Sequence, residues 1–182
     1  VAAAPSIQEL VRSCRHSAIH LEMRDQYDRA DPMFLAWQQG RGDDPDADRS
    51  TWWRPWLDLV DEVTDRGVQV RRARIISEPI SEYIQFEYEG AFTNVAAGEE
   101  VRWLPRRSAT DITLPGNDFW VFDGERVRIG HFDGDGASTG HEMTNNPAVL
   151  QLCLSAFEAV WERATPHDQY RPKLRDGAAS VR

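Results

Sequence analysis

Along this chain the spacing of apolar residues switches between two and three-to-four, and each switch marks a new element. From Trp52 to Asp65, Trp52, Trp56, Leu59, Val60 and Val63 recur at intervals of three and four, with Asp58, Asp61 and Glu62 opposite. That stripe predicts a half-buried helix over 52–65, with Pro55 in its first turn and Gly67 just past its end. In HSAIHLEMRDQY the period is two: Ile19, Leu21 and Met23 point one way, His20, Glu22 and Arg24 the other, as in a strand. VQVRRARIIS reads as a second strand, in which Arg72 and Arg74 share a face with Val68, Val70 and Ile76.

Residues 6–14 fit a short helix capped by Ser6, and MFLAWQQG a further helical segment. A stripe of Ile80, Tyr83, Ile84, Tyr88, Phe92 and Val95 predicts a helix over 79–97, which Gly90 is expected to kink or divide. EVRWLP reads as a short strand. FWVFD and ERVRIGHF form a hairpin around Asp123-Gly124, and ASTGHEMT offers one more strand. Asn146-Pro147 is an N-cap and first-turn pair opening a last helix that buries Leu150, Cys153, Leu154, Phe157, Val160 and Trp161. The expected fold is α/β: a mixed, mainly parallel sheet with helices on both faces. One domain spans 1–172, with an acidic loop at 40–50 and a tail at 173–182.

Composition narrows the function. With 182 residues the chain can bury a full core, and its net charge of −9 disfavours direct binding to nucleic acid or anionic membrane. No stretch approaches the ~20 apolar residues of a membrane span, and the start lacks the basic region of a signal peptide. With Cys14 and Cys153 far apart in sequence and Cys153 read as a packed thiol, the expected setting is a reducing cytoplasm.

Several phrases, HLEMRDQY, RRARIISEPISEYIQFE, NVAAGEEVRWLPRR, LPGNDFWVFDG and FEAVWERATPHDQYRP, resemble an actinobacterial family whose domain has no assigned function. Its members are often encoded near helix-turn-helix regulators, so the resemblance implies a regulatory setting. More broadly, residues 52–164, with RGVQVR, GEEVRWLP and FEAVWERA, look like one half of a phospholipase-D-like domain. Such halves pair, which implies a homodimer. Those enzymes carry His-x-Lys-x4-Asp; counted back from Asp123, this chain has Asp118 at the Lys place and Gly116 at the His place. Glycine offers no nucleophile, and a carboxylate repels a phosphoryl oxygen.

Other motifs weigh little. A calcium loop starting at Asp133 needs an acidic twelfth residue, where Thr144 stands, so a tight turn accounts for GDG better. His16 and His20, four apart on a strand, lie about 13 Å from each other, too far to share a metal with Glu22. Neither a metal nor a cofactor is implied. Trp53, off the helical stripe, offers an edge for a partner.

What gathers where strands end is polar: Glu22, Arg24, Arg72, Arg74, Glu78, Glu82, Tyr83, Arg102 and Asp118. Ligands of open α/β sheets sit beyond the carboxyl ends of strands, so these residues are the expected ligand-binding set. The competing reading makes them an internal ion-pair network. The expected function is a non-catalytic regulatory module that recognises a small polar ligand or a protein partner, such as a helix-turn-helix transcriptional regulator. The alternative is an enzyme that uses Glu22, Arg74, Glu78 and Tyr83 for acid–base chemistry, which requires all four to line one cleft.

Overall fold

The computed structural model describes residues 5–175. Among these, seven strands form one sheet: β1 (Ser17–Glu22), β2 (Gln69–Ile76), β3 (Glu100–Pro105), β4 (Phe119–Phe122), β5 (Arg126–Phe132), β6 (Ser138–Thr144) and β7 (Thr165–Pro166). Their order is β6-β5-β4-β1-β2-β3-β7. The sheet is mixed, but it is not mainly parallel. Only β1 with β2 and β2 with β3 run parallel, while β1–β4, β3–β7, β4–β5 and β5–β6 are antiparallel. Parallel neighbours need a crossover long enough to hold a helix, and the β1–β2 and β2–β3 connections each contain one. The helix Pro147–Arg163 leads instead from β6 to the short β7, which pairs antiparallel with β3. After β3 the chain returns without an α-helix, places β4 on the free side of β1, and continues through hairpins.

Five α-helices cover the sheet: α1 (Ile7–Ser13), α2 (Pro32–Gln38), α3 (Pro55–Asp65), α4 (Glu82–Ala96) and α5 (Pro147–Arg163). Strand alternation sorts the side chains between two faces. Ile19, Leu21, Ala73, Ile75, Phe119 and Val121 pack against Cys153, Phe157, Val160 and Trp161 of α5. On the other face Ala18, Val70, Trp120 and Phe122 meet Leu10, Val11, Leu59 and Val63 of α1 and α3. Ile76, Val101 and Trp103 extend that face under Ile84 and Tyr88 of α4. Each such fully buried side chain is worth about 1.5–3 kcal/mol, so both faces contribute to stability.

Local signals set most helix ends. The Ser6 hydroxyl accepts from the Glu9 N–H at 3.2 Å while the Glu9 carboxylate accepts from the Ser6 N–H at 2.8 Å, a reciprocal cap on α1. Asn146 accepts from the N–H groups of Ala148 and Val149, with Pro147 first in α5. Helix α3 starts later than the stripe predicts. Trp52 lies outside it, buried against Leu57, Val60 and Ala97. Helix α4 runs unbroken through Gly90. Trp53 is not a bare edge: the Arg49 guanidinium lies 3.5 Å from its ring, and its indole N–H donates to Asp58 at 2.6 Å. The expected tail is partly tied down, since the Lys173 carbonyl accepts from the Ile80 N–H at 2.9 Å and Leu174 packs beside α4. The rest of that tail, 176–182, lies outside the described residues. No described helix is long and apolar enough to cross a membrane.

The β4–β5 hairpin turns on two left-handed residues, Asp123 at φ 51° and Gly124 at φ 68°. The Asp123 carboxylate accepts from the backbone N–H groups of Arg15, His16 and Ser17 at 2.8–3.1 Å, which pins the turn to the entry of β1. Asp123→Ala therefore destabilises the chain by about 1–3 kcal/mol in urea unfolding. Asp123→Asn, which tolerates the left-handed backbone and keeps one acceptor oxygen, loses less. Equal losses for the two variants contradict this role.

Candidate functional site

Alternation along β1 and β2 aims four polar side chains at the face shared with α3 and α4. In the parallel register His20 lies beside Arg72 and Glu22 beside Arg74. Arg72 donates to Glu22 at 2.8 Å and to Glu99 at 2.7 Å. Arg74 pairs with Glu22 and, at 2.5 Å, with Glu87 of α4. Burial alone would raise the Glu22 pKa, but Arg74 and Arg72 outweigh it and hold the carboxyl below its ordinary value. Two guanidinium groups and three carboxylates thus meet one another in the interior.

Next to this network lies an imidazole. His20 stacks on Trp120, its neighbour across β1 and β4, with ring centroids 4.1 Å apart and planes at 16°. Burial pushes its pKa down to about 3, helped by Arg72, Arg74 and Arg128 against the opposing pull of Glu22. His20 is neutral at any physiological pH. Its Nδ1 sits 3.5 Å from a Glu22 oxygen.

Asp118 enters the same face ahead of β4. One carboxylate oxygen accepts from the Met23 N–H at 2.9 Å and the other from the Tyr27 hydroxyl at 2.5 Å. Burial raises the Asp118 pKa to about 6, and nearby Glu22 adds to the rise against the hydrogen bonds from Tyr27 and Met23. Burial also pushes the Tyr27 hydroxyl well above its usual range, so it stays protonated as the donor.

These side chains wall a cleft of about 240 Å³, lined by His20, Glu22, Tyr27, Asp118, Trp120 and Arg128 and closed at its rim by Phe132. None of its lining residues lies on an α-helix. A slightly larger cavity, about 270 Å³, lies between α2 and α4. Its charges are more fully met from within: Arg54 pairs with Asp43 at 2.9 Å, Glu87 with Arg74, and Glu89 accepts from Trp37 and Gln85. Size alone does not favour it.

Of the residues expected from sequence, Glu22, Arg72, Arg74 and Asp118 come together. Arg24 stands at the rim, its guanidinium 4.9 Å from the Phe132 ring. Tyr83 lies behind Tyr27, 5.9 Å between ring centroids, and with Glu82 faces a separate hollow at the start of α4. Glu78 is buried elsewhere, accepting from the Tyr170 hydroxyl at 2.6 Å. Arg102 is on the opposite face, over the Trp161 ring at 4.3 Å. Glu22, Arg74, Glu78 and Tyr83 therefore do not line one cleft, and the expected catalytic quartet is dispersed. Arg106 is a tie between strand ends, donating to the Met23 carbonyl at 2.6 Å and to Ser77 Oγ at 3.1 Å.

Sequence reasoning missed Tyr27, Trp120 and Arg128 and considered His20 only as a metal ligand. Counting outward from the Asp123-Gly124 turn would have paired Trp120 with Arg128. Tyr27 sits in a loop with no periodic signal. At Asp133 the carboxylate accepts from the N–H groups of Asp135 and Ala137, as a tight turn requires. No group of three or more potential metal ligands forms among the described residues.

The chain belongs to the family described as "Domain of unknown function (DUF6879)", whose model matches residues 5–172. No functionally curated protein matches it. Among solved structures it is similar to Nuc, a phospholipase D family member from Salmonella typhimurium, at 13% identity over 90% of this chain and 88% of that one, with a TM-score of 0.47. It is also similar to TrmBL2, an archaeal chromatin protein, at 13% identity and a TM-score of 0.47, over 87% of this chain but 48% of the other. NucT from Helicobacter pylori is similar at 10% identity over 87% of each chain, with a TM-score of 0.44. Likeness this distant assigns no activity. The actinobacterial source and the neighbouring regulator rest on resemblance alone.

The raised Asp118 pKa has a consequence for stability. The folded state holds this proton more tightly than the unfolded chain, whose carboxyl titrates near 3.8. Its contribution is therefore complete below about pH 4 and is lost as pH rises toward about 6, by on the order of 2 kcal/mol. Asp118→Asn removes this loss, so the stability of the variant relative to the wild type increases between pH 4 and 6 and then levels off. A pH-independent difference in urea midpoints contradicts the assignment.

Proposed function

We propose that this chain is a non-catalytic binding module that receives a small polar ligand in the cleft over Trp120. The observation that carries this reading is the condition of the one imidazole buried there. His20 lies flat on an indole and neutral, and burial holds it far from the range in which a histidine shuttles protons. Glu22 is locked as a counter-ion between two arginines. The Asp118 pKa is raised by burial to about 6, but both of its oxygens already accept hydrogen bonds.

The surroundings suit recognition. A concave site with ring walls and a few converging polar groups at the end of a strand is the usual form of a small-molecule pocket. Gly116 and Asp118 stand where the phospholipase-D pattern carries its nucleophile and its phosphate-binding lysine, which agrees with binding without turnover.

A screen of small polar compounds against the ¹⁵N-labelled chain tests this, with the Trp120 indole assigned by comparison with Trp120→Phe. Binders are expected to move that indole signal and raise Tm, and to be recovered chemically unchanged. Hydrolysis of bis(p-nitrophenyl) phosphate by the purified chain, or consumption of the bound compound, overturns the proposal.

A further inference from the structure

We infer that the ligand of this cleft is a small zwitterion, its carboxylate held by Arg128 and its ammonium by Asp118. This rests on the reading of the cleft as a binding site and adds the chemical class of what it binds.

The basis is where the charge is left over. Around the cleft, Glu22, Arg72, Arg74, Glu87 and Glu99 satisfy one another in direct ion pairs. Arg128 and Asp118 do not take part. Arg128 donates to the imidazole of His141 at 3.1 Å, and among the described residues no carboxylate pairs with it. Half-buried, it is depressed in pKa by desolvation alone. Asp118 is only 4% exposed, and its partners are a phenol and a backbone N–H, both neutral. The charge of Arg24 acts on it, but among the described residues Arg24 forms no ion pair with it and donates instead to the Asp133 carbonyl at 3.4 Å. A desolvated charge with no counter-charge is costly, and a ligand that supplies the missing charge recovers that cost.

Register puts the two groups at a useful separation. Trp120 lies directly across from Arg128, and the Asp118 carbonyl accepts from the Gly130 N–H at 2.9 Å. Asp118 and Arg128 are therefore diagonal neighbours on one face, about 7 Å apart at the backbone. Between them stands the buried Trp120, one face of its ring taken by His20. Gly130 adds no side chain, and a Cβ there would come within 3.1 Å of the Phe132 ring. At about 240 Å³ the cleft falls below the ~300 Å³ of ordinary ligand cavities. That suits a molecule of amino-acid size with a short hydrocarbon body. Tyr27 and Phe132 add aromatic walls to the cleft.

The test follows the Trp120 indole signal while the chain is titrated with β-alanine and γ-aminobutyrate, and with butyrate, butylamine and n-butanol as controls of single or no charge. The zwitterions are expected to bind at least about tenfold more tightly than any control, one charge-assisted contact being worth that much or more. Arg128→Gln removes the preference for γ-aminobutyrate over butylamine, Asp118→Asn removes the preference over butyrate, and Arg128→Lys retains both. Should a variant fail to fold, the preference for zwitterions in the wild-type chain decides the matter. Equal or tighter binding of butyrate, butylamine or n-butanol overturns the zwitterion and leaves the cleft as a binding site. If no probe here and no compound in the polar screen moves the indole, both readings fall.

Discussion

Two arginines held out of water at the centre of the sheet constrain everything around them. Arg72 and Arg74 sit on neighbouring alternate positions of β2, so their side chains leave the same face and need counter-charges there. Those come from three directions: Glu22 on β1, Glu87 on α4 and Glu99 at the entry to β3. Removing one member of such a buried set costs about 3–5 kcal/mol, although the intact set adds little net stability. Its effect is on geometry. A one-residue slip of β1 against β2 would aim Glu22 at α5 and leave each guanidinium with one counter-ion instead of two, so the network favours this register and the seat of α4.

That register in turn builds the cleft. With Glu22 committed to Arg74, His20 two residues earlier must face Trp120, and the stack becomes the cleft floor. The hairpin adds Arg128 beside Trp120 and leaves Gly130 opposite Asp118. The division between satisfied and unsatisfied charge follows. The central groups are closed to a ligand by their own pairing, whereas Asp118 and Arg128, one strand further out, keep charge in hand. Structural ion-pair network and binding site are thus not competing accounts of one cluster. The ion-pair network and the cleft proposed to bind a ligand are adjacent parts of one face.

Much of this was legible in the chain. The period-two run through His20 and Glu22 and the parity of Arg72 and Arg74 give the shared face, and Ser6, Asn146-Pro147 and Asp123-Gly124 mark element ends by local chemistry. Strand direction was not legible. Periodicity says that β4 is a strand but not that it joins the free side of β1, and this placement makes the sheet mostly antiparallel. Strand ends in sequence also proved a poor guide to strand ends in space. Glu78 and Glu82 follow Arg74 closely in sequence and Arg102 pairs with Ala73 on the neighbouring strand, yet the C-terminal segment, a helix start and the opposite face take them away in turn. Tyr27, which orders Asp118, lies in a loop whose path depends on tertiary contacts.

The most direct check of this account is difference density in crystals of the full chain soaked with γ-aminobutyrate. The account predicts the compound across Trp120, its carboxylate on Arg128 and its ammonium on Asp118, with the Glu22–Arg74 pair undisturbed. Density against Arg72 or Arg74 with Glu22 displaced, or a cleft holding only water at saturating concentration, would contradict it.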